Sequence, residues 1–350
     1  MTSAAESVLK SGQATTGTEL AIIEISDADG LESLRPEWSQ LDESIPEASP
    51  FQSPEWLLAW RRSFCRKGLW TLAVRRGRRL VGLAPFFIHA GDPDGKRQVT
   101  LLGNGVSDQL DLLALPGEAE AVVSAVFRHL ARRSELWDSI DLRDMPAGAL
   151  LLTGGLALQG TDTVEPEEPC PVLRLPKNPA DVVNSLPRKH RENLRRRAQR
   201  LAELGQVVRR TTSAETLTSD LSELLRLHRL RWSARGEQGV FADPAVLEFQ
   251  KDATMGLFER GLLRLHVLEL EGQAIAAQYG FRRGTRAYAY INGFDPAFAP
   301  FGPSALLLSH VMQEAVREGA REFDFLRGRE PYKYDWGASD RPQFRRRFRR

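Results

Sequence analysis

Residues 286–328 hold a strand, a helix and a second strand in an order that admits few folds. "RAYAYINGF" (286–294) alternates small residues with Tyr288, Tyr290 and Asn292, the pattern of a strand with two different faces. "GPSALLLSHVMQEAVREG" (302–319) starts with Gly302, Pro303 and Ser304 and repeats apolar residues at helical spacing, and "REFDFLRG" (321–328) is again a strand. A helix between two strands makes the strands parallel, and the crossover is right-handed. The helix start then lies at the open end of a sheet, with unsatisfied N–H groups and no acid in its first turn, which is where an anionic group docks.

The rest of the chain extends this unit twice over. In the first half the sequence predicts a strand from Leu20, a helix over 53–65 with Ser53 as its cap, a hairpin over 69–89 turning at Gly77, strands at 99–104 and 108–116, a helix over 117–133 and a strand over 137–146. After the proline-rich segment 164–176 come a basic helix (186–205), a strand, helices over 216–236 and 243–261, and the strands 262–284 and 286–294. Both halves run from a helical start through a strand meander to a helix and a last strand. The fold class is therefore α/β (α+β mixed sheet) with internal duplication. The predicted boundaries are a disordered N-terminus (1–19), two domains (20–165 and 166–340) and a basic tail (341–350).

Composition narrows the function classes. With 350 residues, 42% of them hydrophobic, the chain can bury a large core. The formal charge is +2, but the last ten residues hold six arginines and no acid, so residues 1–340 carry −4. That balance argues against a nucleic-acid-binding protein throughout and leaves the tail as an offered contact to an anionic membrane. Cys65 and Cys170 do not form a disulfide framework, and no stretch reads as a signal or membrane span, so a cytoplasmic protein is expected, its tail suited to anionic lipid at the inner face of the membrane, to nucleic acid or an acidic partner, or to nothing specific. No His, Cys and Asp cluster has metal-ligand spacing.

The candidate site residues gather near the last strand. Asp324 lies between Phe323 and Phe325, where a carboxylate is costly unless something pairs with it or uses it. It is read either as a base or substrate orienter or as a buried partner of Arg327 or Lys333. Lys333 is read as the holder of an acyl carboxylate or phosphate, or as the neutraliser of Asp324. Tyr290 and Tyr332 are candidate hydrogen-bond donors or general acids, and Gln278, Tyr288 and Asn292 would line a polar sheet face. On the basic helix, Leu194, Ala198 and Leu201 form the packing stripe. Lys189, Arg196 and Arg200 lie opposite, suited to an anionic acceptor or to solvent alone.

Several of these segments resemble the GNAT acyltransferase superfamily, closest to the CelD-like branch associated with cellulose and exopolysaccharide biosynthesis, which is related to the Fem-type aminoacyltransferases. The resemblance rests on "LHRLRWSARGEQGVF" (227–241), Gly302–Pro303–Ser304, and Asp324, Gly328, Tyr332, Lys333 and Trp336. "FQSPEWLLAW" (51–60) and "LLGNGVSDQLDLL" (101–113) match as well. It implies two tandem GNAT-like domains, the first degenerate, since Glu118 and Glu120 at its helix start would repel a pyrophosphate. It further implies acyl-CoA (acetyl-CoA or longer) as co-substrate, with its pyrophosphate on the backbone of Gly302, Pro303, Ser304 and Ala305. His228, Trp232, Arg235 and Trp336 would stand near an acceptor that is a sugar or polysaccharide precursor. The alternatives are an aminoacyl-tRNA-dependent Fem-type transferase and a non-enzymatic binding protein on the same fold.

Overall fold

The computed structural model describes residues 19–90 and 95–350. The predicted disordered segment 1–19 lies, but for Glu19, outside the described residues. The strands are β1 (Leu20–Ile25), β2 (Leu69–Arg76), β3 (Arg79–Ala90), β4 (Arg97–Leu101), β5 (Leu113–Ala114), β6 (Ser139–Pro146), β7 (Thr161–Arg174), β8 (Val207–Thr211), β9 (Leu263–Leu270), β10 (Gln273–Arg283), β11 (Arg286–Phe294), β12 (Glu322–Asp324) and β13 (Ser339–Arg349). The helices are α1 (Ala28–Ser33), α2 (Arg35–Glu43), α3 (Pro54–Phe64), α4 (Ala119–Arg132), α5 (Asp181–Asn184), α6 (Arg188–Ala202), α7 (Leu217–Ser233), α8 (Pro244–Glu259), α9 (Pro303–Arg317) and α10 (Pro331–Asp335). Among the described residues no helix is long and apolar enough to cross a membrane.

One mixed sheet runs through both halves in the order β1-β2-β3-β4-β6-β13-β7-β12-β11-β10-β9-β8, with β5 on β3. Most neighbours are antiparallel, as short hairpins dictate. The parallel pairs are β4 with β6 and β11 with β12, one in each half. Each is bridged by a crossover containing a helix, α4 in the first case and α9 in the second, so the repeated element order of the sequence becomes a repeated supersecondary unit. Helices α6 and α9 bury one face of the second half through Leu194, Leu201, Leu307 and Met312, while α3, α7 and α8 join the core of the first half through Trp56, Leu224 and Phe249.

Three predictions from sequence are corrected. The proline-rich segment 164–176 supplies most of strand β7 (through Arg174), whose prolines leave it paired to β12 and β13. The segment 108–116 keeps only Leu113–Ala114 as strand. The largest correction concerns the basic tail 341–350. It is not a solvated tail but most of β13, inserted between β6 and β7. Its arginines find their counter-ions on the two flanking strands: Arg345 with Asp141 at 2.5 Å, Arg346 with Asp162 at 2.6 Å, and Arg347 with Glu165. Those acids lie far away in sequence, so the run looks uncompensated when read locally.

The halves are also joined away from the sheet. Asp42, fully buried, accepts from Arg283 at 2.8 Å and pairs with Arg260 at 3.2 Å. Burial raises its pKa while the two guanidinium groups oppose the shift.

Candidate functional site

The parallel pair β11 and β12 is in register for only three residues, ending at Tyr288 opposite Asp324. Beyond that point β11 continues to Phe294, whereas the segment after β12 turns away at Leu326, which adopts a left-handed φ of 58°. The two segments part beyond this point, and the splay between the end of β11 and residues 325–332 is the candidate cleft. A β-branchless Leu in this conformation stores about 1 kcal/mol or more of strain and needs support from its surroundings.

That support explains Asp324 and Lys333. Asp324 is 0% exposed; one carboxylate oxygen accepts the Leu326 N–H at 2.8 Å and the other accepts from Gln109 at 2.7 Å, with Arg341 at 3.6 Å. Lys333, 2% exposed, donates through Nζ to the carbonyls of Leu326 (2.9 Å), Arg327 (2.8 Å) and Gly328 (3.0 Å) and pairs with Glu330. Both expected roles are therefore corrected. Asp324 is a buried tie between β12 and the first half, with Gln109 and Arg341 in place of Arg327 or Lys333, and does not face the cleft. Lys333 is spent on carbonyl oxygens and has no reach toward an acyl group. Gln109 and Arg341 also line a cavity of about 580 Å³ that includes the 110–115 and 146–150 backbone and Arg286.

Burial pushes Asp324 up to about 6 from its ordinary 3.8. The folded protein thus holds this proton more tightly than the unfolded chain. Its contribution to stability is complete below the unfolded pKa and is lost as pH rises through the folded one. Relative to Asp324→Asn, the wild-type protein is expected to lose about 3 kcal/mol between about pH 4 and about pH 7. Urea midpoints of both proteins across that window check this; a difference that stays constant with pH overturns it.

The β11 residues divide between core and cleft. Tyr288 is 2% exposed, and Tyr290 packs edge-on against Trp56 at 5.4 Å and Phe51 at 5.7 Å. The Tyr290 hydroxyl donates to the Val106 carbonyl at 2.7 Å, and burial pushes its pKa well above the ordinary phenol value, so it remains a donor. Gln278 is buried, its amide donating to the Tyr279 carbonyl at 3.0 Å. The predicted polar sheet face is thus largely an aromatic core, because α3 of the first half covers it. Asn292 is the member that meets other polar groups, accepting a hydrogen bond from Arg231.

The last turns of α7 pack against the end of β11. His228, 3% exposed, lies against Phe241 (4.6 Å) and Trp232 (5.9 Å), and its Nδ1 has no partner among the described residues. Burial and the neighbouring Arg231 push it down to about 4, so it is neutral near pH 7. Arg231 stacks over Trp232 at 5.6 Å and Phe294 at 5.7 Å, and Arg235 over Trp232 at 5.5 Å. Its charge is felt by Tyr332 and Glu330 across the cleft. Tyr332 is 39% exposed, whereas Trp336 is buried edge-on against His190. The α7 backbone lies so close to β11 that a Cβ on Gly293 would stand 2.3 Å from the His228 backbone nitrogen.

Sequence reasoning missed Arg231, Asp108, Asp144 and the pairing of Arg327. Arg327 bridges the halves, at 2.6 Å from Asp144 and 3.3 Å from Asp108. Asp144 also has a positive φ, 57°, and burial pushes it up to about 6. The one signal for Arg231 was its position one turn beyond His228 on the same helix.

The remaining element is the start of α9. Gly302 occupies the cap with φ 61°, no side chain caps the helix, and the Ser304 hydroxyl is buried without a partner. The left-handed φ of Gly302 favours glycine, and a Cβ there would lie 2.7 Å from Nη1 of Arg197 on α6, so the Arg197 side chain abuts the start of α9.

Residues 188–334 match the family model described as an acetyltransferase (GNAT) domain. Comparison with curated proteins gives no match to the chain. Among solved structures, the fold is similar to that of FemX, with a TM-score of 0.61 and 13% identity over 93% of this chain and 96% of that one. It is also similar to the C-terminal domain of a putative lysylphosphatidylglycerol synthetase from Agrobacterium fabrum (TM-score 0.55, 11% identity, 90% and 91% covered). A conserved protein of unknown function from Bacteroides thetaiotaomicron gives a TM-score of 0.56 at 11% identity, with 95% and 100% covered. The second half is therefore similar in sequence to the GNAT acetyltransferase domain, and nearly the whole chain shares its fold with FemX.

Proposed function

We propose that the protein is an acyltransferase of the CelD-like branch that moves an acyl group from acyl-CoA to an amine or hydroxyl of a polysaccharide or cell-envelope precursor. The observation that carries this reading is the uncapped start of α9 beside the point where β11 and β12 part. The Ser304 N–H, the positive helix end and a partnerless Ser304 hydroxyl face a diphosphate there, while the Gly302 N–H is given to the Ala299 carbonyl, the Ala305 N–H to the Gly302 carbonyl, and Pro303 has none. The reaction needs little more than placement: the nucleophile bonds to the thioester carbonyl carbon, the C–S bond breaks, and the proton lost by the nucleophile balances the departing thiolate. Near the end of β11, Arg231 and Asn292 carry N–H donors suited to a developing oxyanion. The neutral His228 ring has a nitrogen free to take or relay a proton.

The test is calorimetric titration of acetyl-CoA and longer acyl-CoAs. Micromolar binding is expected, weakened about 100-fold or more in Ser304→Glu, because a carboxylate there faces the bound diphosphate. No binding at any chain length sinks the reading. The aminoacyl-tRNA-dependent alternative has one feature behind it, the cationic helix α6, which suits any phosphate-rich donor. Among the described residues no helical arm projects, since α7 and α8 pack on the sheet and on α3.

A further inference from the structure

Helix α6 has seven Lys and Arg residues and one acid, Glu192. Elsewhere in the fold many arginines are answered by carboxylates, as Arg210 is by Asp220 and Arg345 by Asp141. On α6 the only ion pair among the described residues is Arg188 with Glu192. Like charges three and four residues apart on a helix repel one another, so the set is unfavourable as it stands. It is also aimed at a positive feature. Arg197 abuts Gly302, the cap of α9, and the Arg200 guanidinium stacks over Phe301 at 5.2 Å. Two guanidinium groups thus converge on the positive end of a helix that no acidic side chain caps, next to a buried serine hydroxyl without a partner. An anion with more than one phosphate resolves all of these at once.

We infer that Arg197 and Arg200 are the counter-ions of the donor's nucleotide end. Arg197 pairs with the diphosphate seated on the first turn of α9, and Arg200, one turn further along α6, pairs with the 3′-phosphate of CoA. The assignment rests on the acyl-CoA reading above and deepens it. It also makes α6 part of the donor site in place of the anionic-acceptor surface expected from sequence.

The experiment titrates CoA and 3′-dephospho-CoA into the full chain and into Arg197→Ala, Arg200→Ala and Arg195→Ala, with helicity checked by circular dichroism. Arg200→Ala is expected to weaken CoA about tenfold and leave dephospho-CoA within about twofold, while Arg197→Ala weakens both about tenfold. Arg195, exposed on the same helix, serves as the control and changes neither. Arg197→Lys and Arg200→Lys restore part of the lost affinity if charge is what matters. If the wild-type chain binds CoA and the two alanine variants bind both ligands as it does, the assignment is overturned and the acyl-CoA reading stands. If the wild-type chain binds neither ligand, both fall. Arginine-dependent binding of a short RNA hairpin would then give α6 to a nucleic-acid donor.

Discussion

A chain ended at Asp340 will not fold. Read as a solvated tail, residues 341–350 would be dispensable; as part of β13 they hold β6 and β7 together and so join the two halves of the sheet. Their removal exposes two long strand edges and takes out Phe348, which is 2% exposed and whose burial contributes about 2 kcal/mol. It also removes Arg346, which donates to the Leu151 carbonyl at 2.8 Å and the Gly154 carbonyl at 3.0 Å and pairs with Asp162. Leaving such partners behind costs about 3 kcal/mol or more. With the lost ladder, the sum exceeds the roughly 5–15 kcal/mol by which a typical domain is stable. Soluble yield and a thermal melt by circular dichroism decide the matter. A truncated protein that is monomeric and melts cooperatively near the wild-type temperature contradicts the placement of β13. Arg349→Ser, at an exposed position of the same strand, is expected to melt within a few degrees of the wild type.

Lys333→Met should cost about 3–5 kcal/mol, the range for removing one member of a buried charged network. Methionine keeps the apolar stem but leaves three carbonyls, those of Leu326, Arg327 and Gly328, without their shared donor. These residues form the turn at which the chain leaves β12, so the loss loosens one wall of the cleft. Denaturant unfolding measures the cost, and amide exchange at residues 326–328 should rise before that of the sheet. If stability is unchanged while acyl transfer disappears, Lys333 acts on substrate and the structural assignment is wrong.

The unit from β11 to β12 was legible because its signals are local: alternation in the strand, a Gly-Pro-Ser start, and helical spacing across α9. The residues at that helix start, Gly302 to Ala305, are uncapped and accessible in pattern to an anion, which follows from which residues are absent as much as from which are present. Asp324 was legible as unusual and misread in role. A carboxylate between two phenylalanines signals burial, but whether it meets a substrate or a backbone N–H depends on what covers it. Here that cover includes Gln109, which lies 215 residues earlier. Tyr288 and Tyr290 failed in the same way: alternation separates two faces of a strand and does not say which is dry.

By itself the sequence determined most of the strands and helices, though not β7 or β13, together with the duplicated crossover and the uncapped start of α9. These follow from side-chain periodicity and backbone preferences that act within one or two turns of chain. Only the tertiary structure decided which charges are neutralised. Arg345, Arg346 and Arg347 are silent because β6 and β7 bring acids to them, whereas Arg197 and Arg200 keep their charge because α6 is laid against a helix end with no acid to offer. Electrostatic energy depends on distance in space, and the pairs that settle the fate of both arginine runs are set by strand neighbours and helix packing that no local pattern encodes.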